Sequence, residues 1–221
     1  MLWAGGESRR LAPASLAKLM TSLLVLEGGR LDETVTVSRA AARATGTRMG
    51  LREGESFSAR DLHAAMVVRS ANDACRALAD HASPDFVALM NARAAALGLA
   101  DTRYADPCGH DREGQYTSAA DVARLAELLA AQPEYLRVAR LARVRIASAA
   151  GRRFELPATN ALIGRYPGAI GLKTGYTSAA GHCLAALAER QGVRVLVVML
   201  HSPNRWWNAV GLLDRAFEAL P

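Results

Sequence analysis

The sequence predicts an α+β fold, in which an antiparallel sheet with flanking helices is joined to a mostly helical subdomain. One observation is a block of helix-forming segments within residues 38–150. Another is a set of three strand-forming segments after residue 168, whose short connections favour antiparallel neighbours. The chain has 221 residues and 51% hydrophobic content, which suits a single domain. We therefore predict one domain over 1–221, with a helical subdomain at about 38–150 and a sheet assembled from both ends of the chain.

The first predicted helix follows Ser15 and is buried. Apolar residues from Leu16 to Leu26 cover most of its circumference, and Gly28-Gly29 ends it. Because serine is a good N-cap, we expect Ser15 to open this central helix.

The remaining elements follow in chain order. A short strand is predicted at Val35–Val37. The later helices are predicted at 60–69, 72–82, 84–98 and 118–131. The strands are predicted at 168–176, 181–188 and 193–200, with Gln191-Gly192 as a tight turn. Beyond Pro203, apolar residues at helical spacing predict a terminal helix packed on the sheet, and these are Trp206, Val210, Leu213 and Phe217.

The charge and hydropathy of the chain exclude some classes of protein. The net charge is +6, but the arginines are scattered and not interleaved with aromatic residues. We therefore expect a solvated basic surface and no nucleic-acid partner. No stretch of 18 apolar residues is visible, so we expect no membrane span. No signal peptide is visible either, so the sequence itself does not indicate a cellular location.

The three cysteines, Cys75, Cys108 and Cys183, are odd in number and widely spaced. They form no metal-binding pattern, and the histidines are dispersed, so we expect neither a metal nor a cofactor. Three free thiols are the favoured interpretation, and a Cys75–Cys108 or similar bridge remains open.

Only two of the 27 basic residues are lysines, and both lie in motifs that carry chemistry. The first motif is Ser15-Leu16-Ala17-Lys18, whose serine and lysine share one face of a helix. Serine is a poor nucleophile without a base, and lysine can be that base when burial lowers its pKa. Arginine cannot replace it, because guanidinium keeps its proton.

Two further motifs complete the set. Ser70-Ala71-Asn72 falls between two predicted helices, where a hydroxyl and an amide can point into a cleft. Lys173-Thr174-Gly175 lies on a predicted strand, where Gly175 allows a substrate close to the backbone and the lysine and threonine can hold a carboxylate. Three such motifs in this order are typical of penicillin-binding proteins and class A β-lactamases.

The longer context resembles the low-molecular-weight D-alanyl-D-alanine carboxypeptidases over about residues 2–220. The segments that carry the resemblance are 13–21, 70–74 and 171–177, with further matches at Phe86-Val87, Met90-Asn91 and Tyr116–Ala119. The resemblance implies a β-lactamase/DD-peptidase-like fold and an extracytoplasmic enzyme. It also implies a peptidoglycan stem peptide ending in D-Ala-D-Ala as substrate, β-lactams as inhibitors and no cofactor.

The resemblance assigns a role to each site residue. Ser15 would be the acylated nucleophile and Lys18 its base, while Ser70 and Asn72 would relay protons and hold the substrate amide. The substrate-binding residues would lie on the strand and after the last strand, and they are Lys173, Thr174, Gly175, Tyr176 and Arg205. In this set the backbone N–H groups of Ser15 and Tyr176 would form the oxyanion hole.

The sequence departs from the family at three places. The N-terminal strand that usually precedes the segment at Leu2 is absent, so we expect a truncated sheet. We likewise see no β-rich domain or amphipathic anchor after Leu220. The turn Asp106-Pro107-Cys108-Gly109-His110 usually has asparagine first and leucine last. We expect this last difference to change local packing rather than chemistry.

Three other functions remain open from the sequence. A D,D-endopeptidase acting on cross-links would share the motifs. A β-lactamase would need a deacylating glutamate, for which Glu134 lies in the right region but lacks a partner asparagine. A non-catalytic wall-binding module would keep the cleft without turnover.

Overall fold

The computed structural model describes residues 1–220. Within them the helices are α1 (Lys18–Glu27), α2 (Arg39–Ala42), α3 (Ala59–Val68), α4 (Asn72–Ala82), α5 (Phe86–Ala96), α6 (Ala119–Ala130), α7 (Pro133–Ala139) and α8 (Arg205–Ala219). The strands are β1 (Thr34–Thr36), β2 (Ser56–Ser58), β3 (Arg143–Ala147), β4 (Arg153–Pro157), β5 (Ala169–Thr177), β6 (Gly181–Arg190) and β7 (Val193–Met199). The predicted α+β class is confirmed.

The main sheet has three antiparallel strands in the order β5-β6-β7. Gln191 and Gly192 both have left-handed backbone, with φ of 50° and 80°, and form the predicted tight turn between β6 and β7. Our expectation that both ends of the chain supply strands is wrong for residues 1–220, because all three strands come from 169–199. From the N-terminal end, the 3-10 turn at Ala14–Ala17 packs against β5 and β6 without joining the sheet.

The terminal helix packs on the sheet as predicted. Ala209, Leu213 and Ala216 of α8 are buried against Leu184 of β6 and Val195 of β7. These residues recur every three or four positions in α8, so one face of the helix is covered.

Helix α1 lies at the centre of the larger core. Its residues Leu19, Met20 and Leu23 are buried among side chains of α3, α4 and α6. A 3-10 turn at Ala14–Ala17 precedes α1, so Ser15 is inside that turn and does not cap the helix as we expected. Ala17 is the N-cap of α1, so the Ser15 hydroxyl is not used to cap the helix.

Of the short elements, β1 confirms the strand predicted at Val35–Val37, whereas β2, β3, β4, α2 and α7 were not predicted. β1 pairs with β2, and β3 with β4, in separate two-stranded sheets, and α2 and α7 are single short helices. They border the helical block. β1, β2 and α2 have only three or four residues each, which is too short for a clear period.

One cysteine pair is bonded. Cys75 of α4 and Cys108 form a disulfide across 33 residues, and Cys183 is a buried free thiol. The favoured prediction of three free thiols is therefore wrong, and the open alternative holds. The fold places α4 beside the turn at 106–110, and this proximity depends on tertiary packing that the spacing does not reveal.

His63 is a buried titratable residue in α3. Its Nε2 atom has no hydrogen-bond partner in the described part of the chain. Burial lowers the pKa of His63 to about 4.

None of the helices within residues 1–220 is long and apolar enough to cross a membrane.

Candidate active site

The three motifs meet in one cleft between the helical block and the sheet. Ser15 comes from the 3-10 turn before α1, and Lys18 is the first residue of α1. Ser70 and Asn72 come from the junction of α3 and α4, and Lys173 comes from β5. Lys18 Nζ lies 2.9 Å from Ser15 Oγ and 2.7 Å from Asn72 Oδ1. Lys173 Nζ lies 2.7 Å from Ser70 Oγ. Two amine–hydroxyl pairs, Lys18–Ser15 and Lys173–Ser70, thus lie in the same cleft.

The turn that carries Ser15 is held by a close backbone contact. Ala14 has a φ of 46°, which is unusual for a residue with a Cβ atom. Gly109 approaches the Ala14 carbonyl so closely that a Cβ atom on it would lie 1.8 Å from that oxygen. The strained backbone at Ala14 places Ser15 on the cleft side of the turn, where it remains partly exposed.

Lys18 is buried, and its amine has three hydrogen-bond partners. Besides Ser15 and Asn72, its Nζ donates to the Cys108 carbonyl oxygen at 2.5 Å. Burial lowers the pKa of Lys18 to about 7, although the negative charge of Asp106 opposes this shift. In the neutral amine two N–H bonds satisfy the carbonyl oxygens of Asn72 and Cys108. The remaining lone pair then faces the Ser15 hydroxyl, which is the arrangement that a general base needs.

Ser70 and Asn72 are held by the start of α4. Ser70 has a φ of 63°, a left-handed conformation that turns its hydroxyl toward Lys173. Asn72 is the first residue of α4, and its Nδ2 donates to the Thr45 carbonyl at 2.6 Å. Asp73 follows, and its carboxylate accepts the backbone N–H groups of 49–51, which fixes the neighbouring loop.

β5 forms the opposite wall of the cleft. Lys173 is buried, and burial is the main cause that lowers its pKa, with the positive charges of Lys18 and Arg205 adding to the effect. A Cβ atom on Gly175 would lie 3.2 Å from the Ser15 nitrogen and 3.1 Å from Ala14 Cβ. A side chain at this position would therefore force β5 or the backbone of the Ser15 turn to shift by a few tenths of an ångström.

Arg205 and Tyr176 lie at the rim of the same wall. Arg205, the first residue of α8, donates through Nη1 to the Gly175 carbonyl at 2.7 Å and the Cys183 carbonyl at 3.3 Å. Burial lowers the pKa of Arg205. Tyr176 is 60% exposed and stacks on His182 with ring centroids 4.7 Å apart. All nine predicted site residues thus lie on elements that border the cleft.

The sequence reasoning missed four groups that hold these residues. The Thr159 hydroxyl lies 2.7 Å from that of Thr174. The carbonyls of Thr45 and Cys108 accept from Asn72 and Lys18. His110 approaches Asn72 with 3.2 Å between its Nε2 and the amide nitrogen. Backbone carbonyls carry no sequence signal, whereas His110 was visible as a departure from the family's usual turn.

Glu134, which a β-lactamase would need near its nucleophile, is engaged elsewhere. Its carboxylate lies 2.6 Å from Arg60 and 2.7 Å from Arg137. The hydrogen bond from Arg137 is the main cause that lowers the pKa of Glu134. A carboxylate held by two guanidinium groups is a poor base, so the β-lactamase interpretation is not favoured.

A sequence model of the D-alanyl-D-alanine carboxypeptidases matches residues 1–204. The chain belongs to the D-alanyl-D-alanine carboxypeptidase family, peptidase family S11. Among curated members of the family it is 34% identical to D-alanyl-D-alanine carboxypeptidase DacF of Bacillus subtilis, over 99% of this chain. The chain spans 59% of the length of that relative.

Solved structures agree with membership of the carboxypeptidase family. An evolved putative penicillin-binding protein homolog from Mycobacterium tuberculosis has a TM-score of 0.93 and 30% identity, covering 100% of this chain and 87% of that one. Penicillin-binding protein D2 from Listeria monocytogenes, solved with ampicillin bound, has a TM-score of 0.86 and 31% identity, covering 98% and 91%. The predicted DD-peptidase-like fold is thereby confirmed.

Proposed function

We propose that this chain is a serine D-alanyl-D-alanine carboxypeptidase that removes the terminal D-alanine from peptidoglycan stem peptides through an acyl-enzyme on Ser15. The observation that carries the proposal is the position of the buried Lys18, whose Nζ lies 2.9 Å from the Ser15 hydroxyl oxygen. Because its pKa is about 7, Lys18 can be a neutral amine whose lone pair is directed at that hydroxyl. Membership of the carboxypeptidase family supports the substrate class.

The proposed reaction begins with a proton transfer. Neutral Lys18 takes the hydroxyl proton of Ser15 while Oγ attacks the carbonyl carbon of the penultimate D-alanine. The backbone N–H groups of Ser15 and Tyr176 would stabilise the negative oxygen that develops on that carbon. The C–N bond then breaks, and the leaving D-alanine nitrogen receives a proton through the Lys173–Ser70 pair, whose 2.7 Å separation suits such a relay. Water then attacks the ester and gives a proton to the Lys173–Ser70 pair, which replaces the one that pair lost. Ser15 Oγ leaves the acyl carbon and takes its proton back from Lys18, so both amines return to their starting states.

The terminal carboxylate would be held by β5 and α8. The Thr174 hydroxyl, oriented by Thr159, can donate to it, and Lys173 and Arg205 would supply positive charge. Asn72 would hold the amide of the preceding residue. The same donors suit the carboxylate of a β-lactam, so we propose that β-lactams acylate Ser15 and that the enzyme acts outside the cytoplasm, where its polymeric substrate lies.

The test is the release of D-alanine from a synthetic tripeptide ending in L-Lys-D-Ala-D-Ala. The wild type should release one D-alanine per peptide, and Ser15→Ala should release none while still binding the peptide. Binding without release by the wild type would instead identify a wall-binding module. A cross-linked dimeric peptide, offered in a parallel reaction, separates carboxypeptidase from endopeptidase activity.

A further inference from the structure

The turn at 106–110 wraps around one carboxylate oxygen. Asp106 Oδ1 accepts the backbone N–H of Cys108 at 2.8 Å and that of His110 at 3.0 Å. The same oxygen lies 3.1 Å from Nδ1 of the His110 ring. Burial alone would raise the pKa of Asp106, but the hydrogen bonds from His110 and Cys108 outweigh it and lower the pKa to about 2. Asp106 is therefore ionised and can only accept.

An ionised acceptor decides the tautomer of His110. The ring proton must lie on Nδ1, because that nitrogen faces Asp106. In the neutral ring Nε2 is then a bare acceptor. It lies 3.2 Å from Asn72 Nδ2 and 3.3 Å from the Thr45 carbonyl oxygen. A carbonyl cannot donate, so the Asn72 amide is the partner that the neutral ring can accept from.

The orientation of the Asn72 carboxamide depends on this acceptor. On one side Oδ1 accepts from Lys18 Nζ at 2.7 Å. On the other side Nδ2 has two hydrogens, one directed at Thr45 O and one at His110 Nε2. A flipped amide would place its NH2 group against the Lys18 amine and its oxygen against Thr45 O. The two acceptors therefore hold Asn72 in the orientation that places Lys18 beside Ser15.

We propose that His110 is a positioning residue: its neutral imidazole holds Asn72, through Asn72 it orients Lys18 toward Ser15, and a proton on its ring weakens this arrangement. The inference rests on the proposed function of Ser15 and Lys18. It replaces our expectation that the altered turn affects packing alone.

Protonation changes what the ring can do. Nε2–H is a donor, so it faces the Asn72 NH2 group donor to donor and competes with it for the Thr45 carbonyl. The charged groups that act on the ring are Asp106 in its own turn and Lys18 from α1, while α4 and the loop after α2 present only the uncharged Asn72 and Thr45 groups. The hydrogen bond to Asp106 is the main cause that raises the pKa of His110. The ring therefore gains its proton more readily than a free histidine as the solution becomes acidic.

The experiment compares acylation by a chromogenic penicillin or cephalosporin in four proteins across a pH series. The proteins are the wild type, His110→Gln, His110→Leu and the control His81→Gln. Glutamine can present a carbonyl oxygen to Asn72 but does not titrate, and leucine removes the acceptor. His81 also contacts a carboxylate, Glu33, at 2.9 Å, but it lies at the far end of α4 from Asn72.

The expected results differ for each variant. His110→Leu should acylate about 3- to 10-fold more slowly than the wild type at alkaline pH, as expected for one lost hydrogen bond, with unchanged non-covalent binding of the drug. His110→Gln should keep most of the alkaline rate. When the pH is lowered from about 8 to 5.5, the acylation rates of the wild type and His81→Gln should fall by a larger factor than that of His110→Gln. The two factors should differ about 3- to 10-fold.

Two results would overturn the positioning role. One is a pH–rate profile of His110→Gln that superimposes on that of the wild type, together with a wild-type acylation rate in His110→Leu. The other, which needs no variant to fold, is an NMR titration of the wild type in which the His110 ring keeps one protonation state across the acid limb. A wild type that is not acylated at any pH would instead refute the proposed function itself, so the two failures are distinguishable.

Discussion

Replacing Lys18 by arginine keeps a positive charge and several donors in the same pocket but removes a base. The present amine is buried, with 1% of its surface exposed, and contacts Ser15, Asn72 and Cys108. Its pKa of about 7 means that roughly nine molecules in ten carry the neutral amine at about pH 8. Guanidinium in the same place stays protonated at any working pH, so fewer than about one molecule in a thousand would carry a usable lone pair.

The size of the effect follows from that difference. Loss of a positioned general base typically costs about 10²–10⁴-fold in rate. We therefore expect Lys18→Arg to acylate about 10²–10⁴-fold more slowly than the wild type while remaining folded. In the wild type the acylation rate should rise with pH through about 7, because the neutral form of Lys18 is the reactive one. This limb should be absent from the variant.

Lys173→Arg supplies the matched comparison. Lys173 Nζ donates to Ser70 Oγ and to the Thr174 carbonyl, and arginine can also donate there and attract a carboxylate. The acylation rate should therefore fall less in Lys173→Arg than in Lys18→Arg. The assay is the acylation rate constant with a chromogenic β-lactam, with circular dichroism to verify folding. A Lys18→Arg protein that acylates at the wild-type rate would refute the assignment of Lys18 as the base.

Three further changes test other parts of the structure. The double variant Cys75→Ser, Cys108→Ser should unfold at lower denaturant concentration, with a loss of about 3–4 kcal/mol for opening a loop of 33 residues; unchanged denaturation would show that the bridge is not formed. Because the pKa of His63 is lowered from 6.5 to about 4, the unfolded chain binds the extra proton and stability must rise with pH in that interval. On acidification from pH 6.5 to about 4, His63→Leu should therefore retain about 3 kcal/mol of unfolding free energy that the wild type loses. Equal changes in unfolding free energy with pH in the two proteins, measured by denaturant unfolding, would contradict this. Gly175→Ala should lower acylation by about 10- to 100-fold, because its Cβ atom would press on Ser15 N and displace the nucleophile; a wild-type rate would show that β5 moves freely.

The long elements were predictable because each carries its own local signal. The apolar run after Ser15 gave α1, and Gln191-Gly192 gave the β6–β7 turn, since left-handed backbone there favours such residues. The division of the chain into subdomains stays a prediction. The β3–β4 hairpin was not predicted, although Val144 and Ile146 alternate with charged residues in β3, which is the period of a half-buried strand. The pairing of β3 with β4 depends on tertiary packing.

The site was predictable as a set of residues but not as a set of contacts. Ser15 and Lys18 are three positions apart, so their proximity follows from one turn of helix. Asn72 meets Lys18 only through the packing of α4 against α1, and the carbonyl of Cys108, which is bonded to Cys75 of α4, accepts from Lys18. Such contacts depend on tertiary structure, and a backbone carbonyl acceptor leaves no trace in the sequence.

The central claim is that Ser15 is the group that becomes acylated. Mass spectrometry of the intact protein after exposure to benzylpenicillin, followed by peptide mapping, tests it directly. We predict one added penicilloyl group, located on the peptide that carries Ser15, and no adduct on Ser15→Ala. A folded wild type that gains no mass, or an adduct that maps to a peptide without Ser15, would contradict the account.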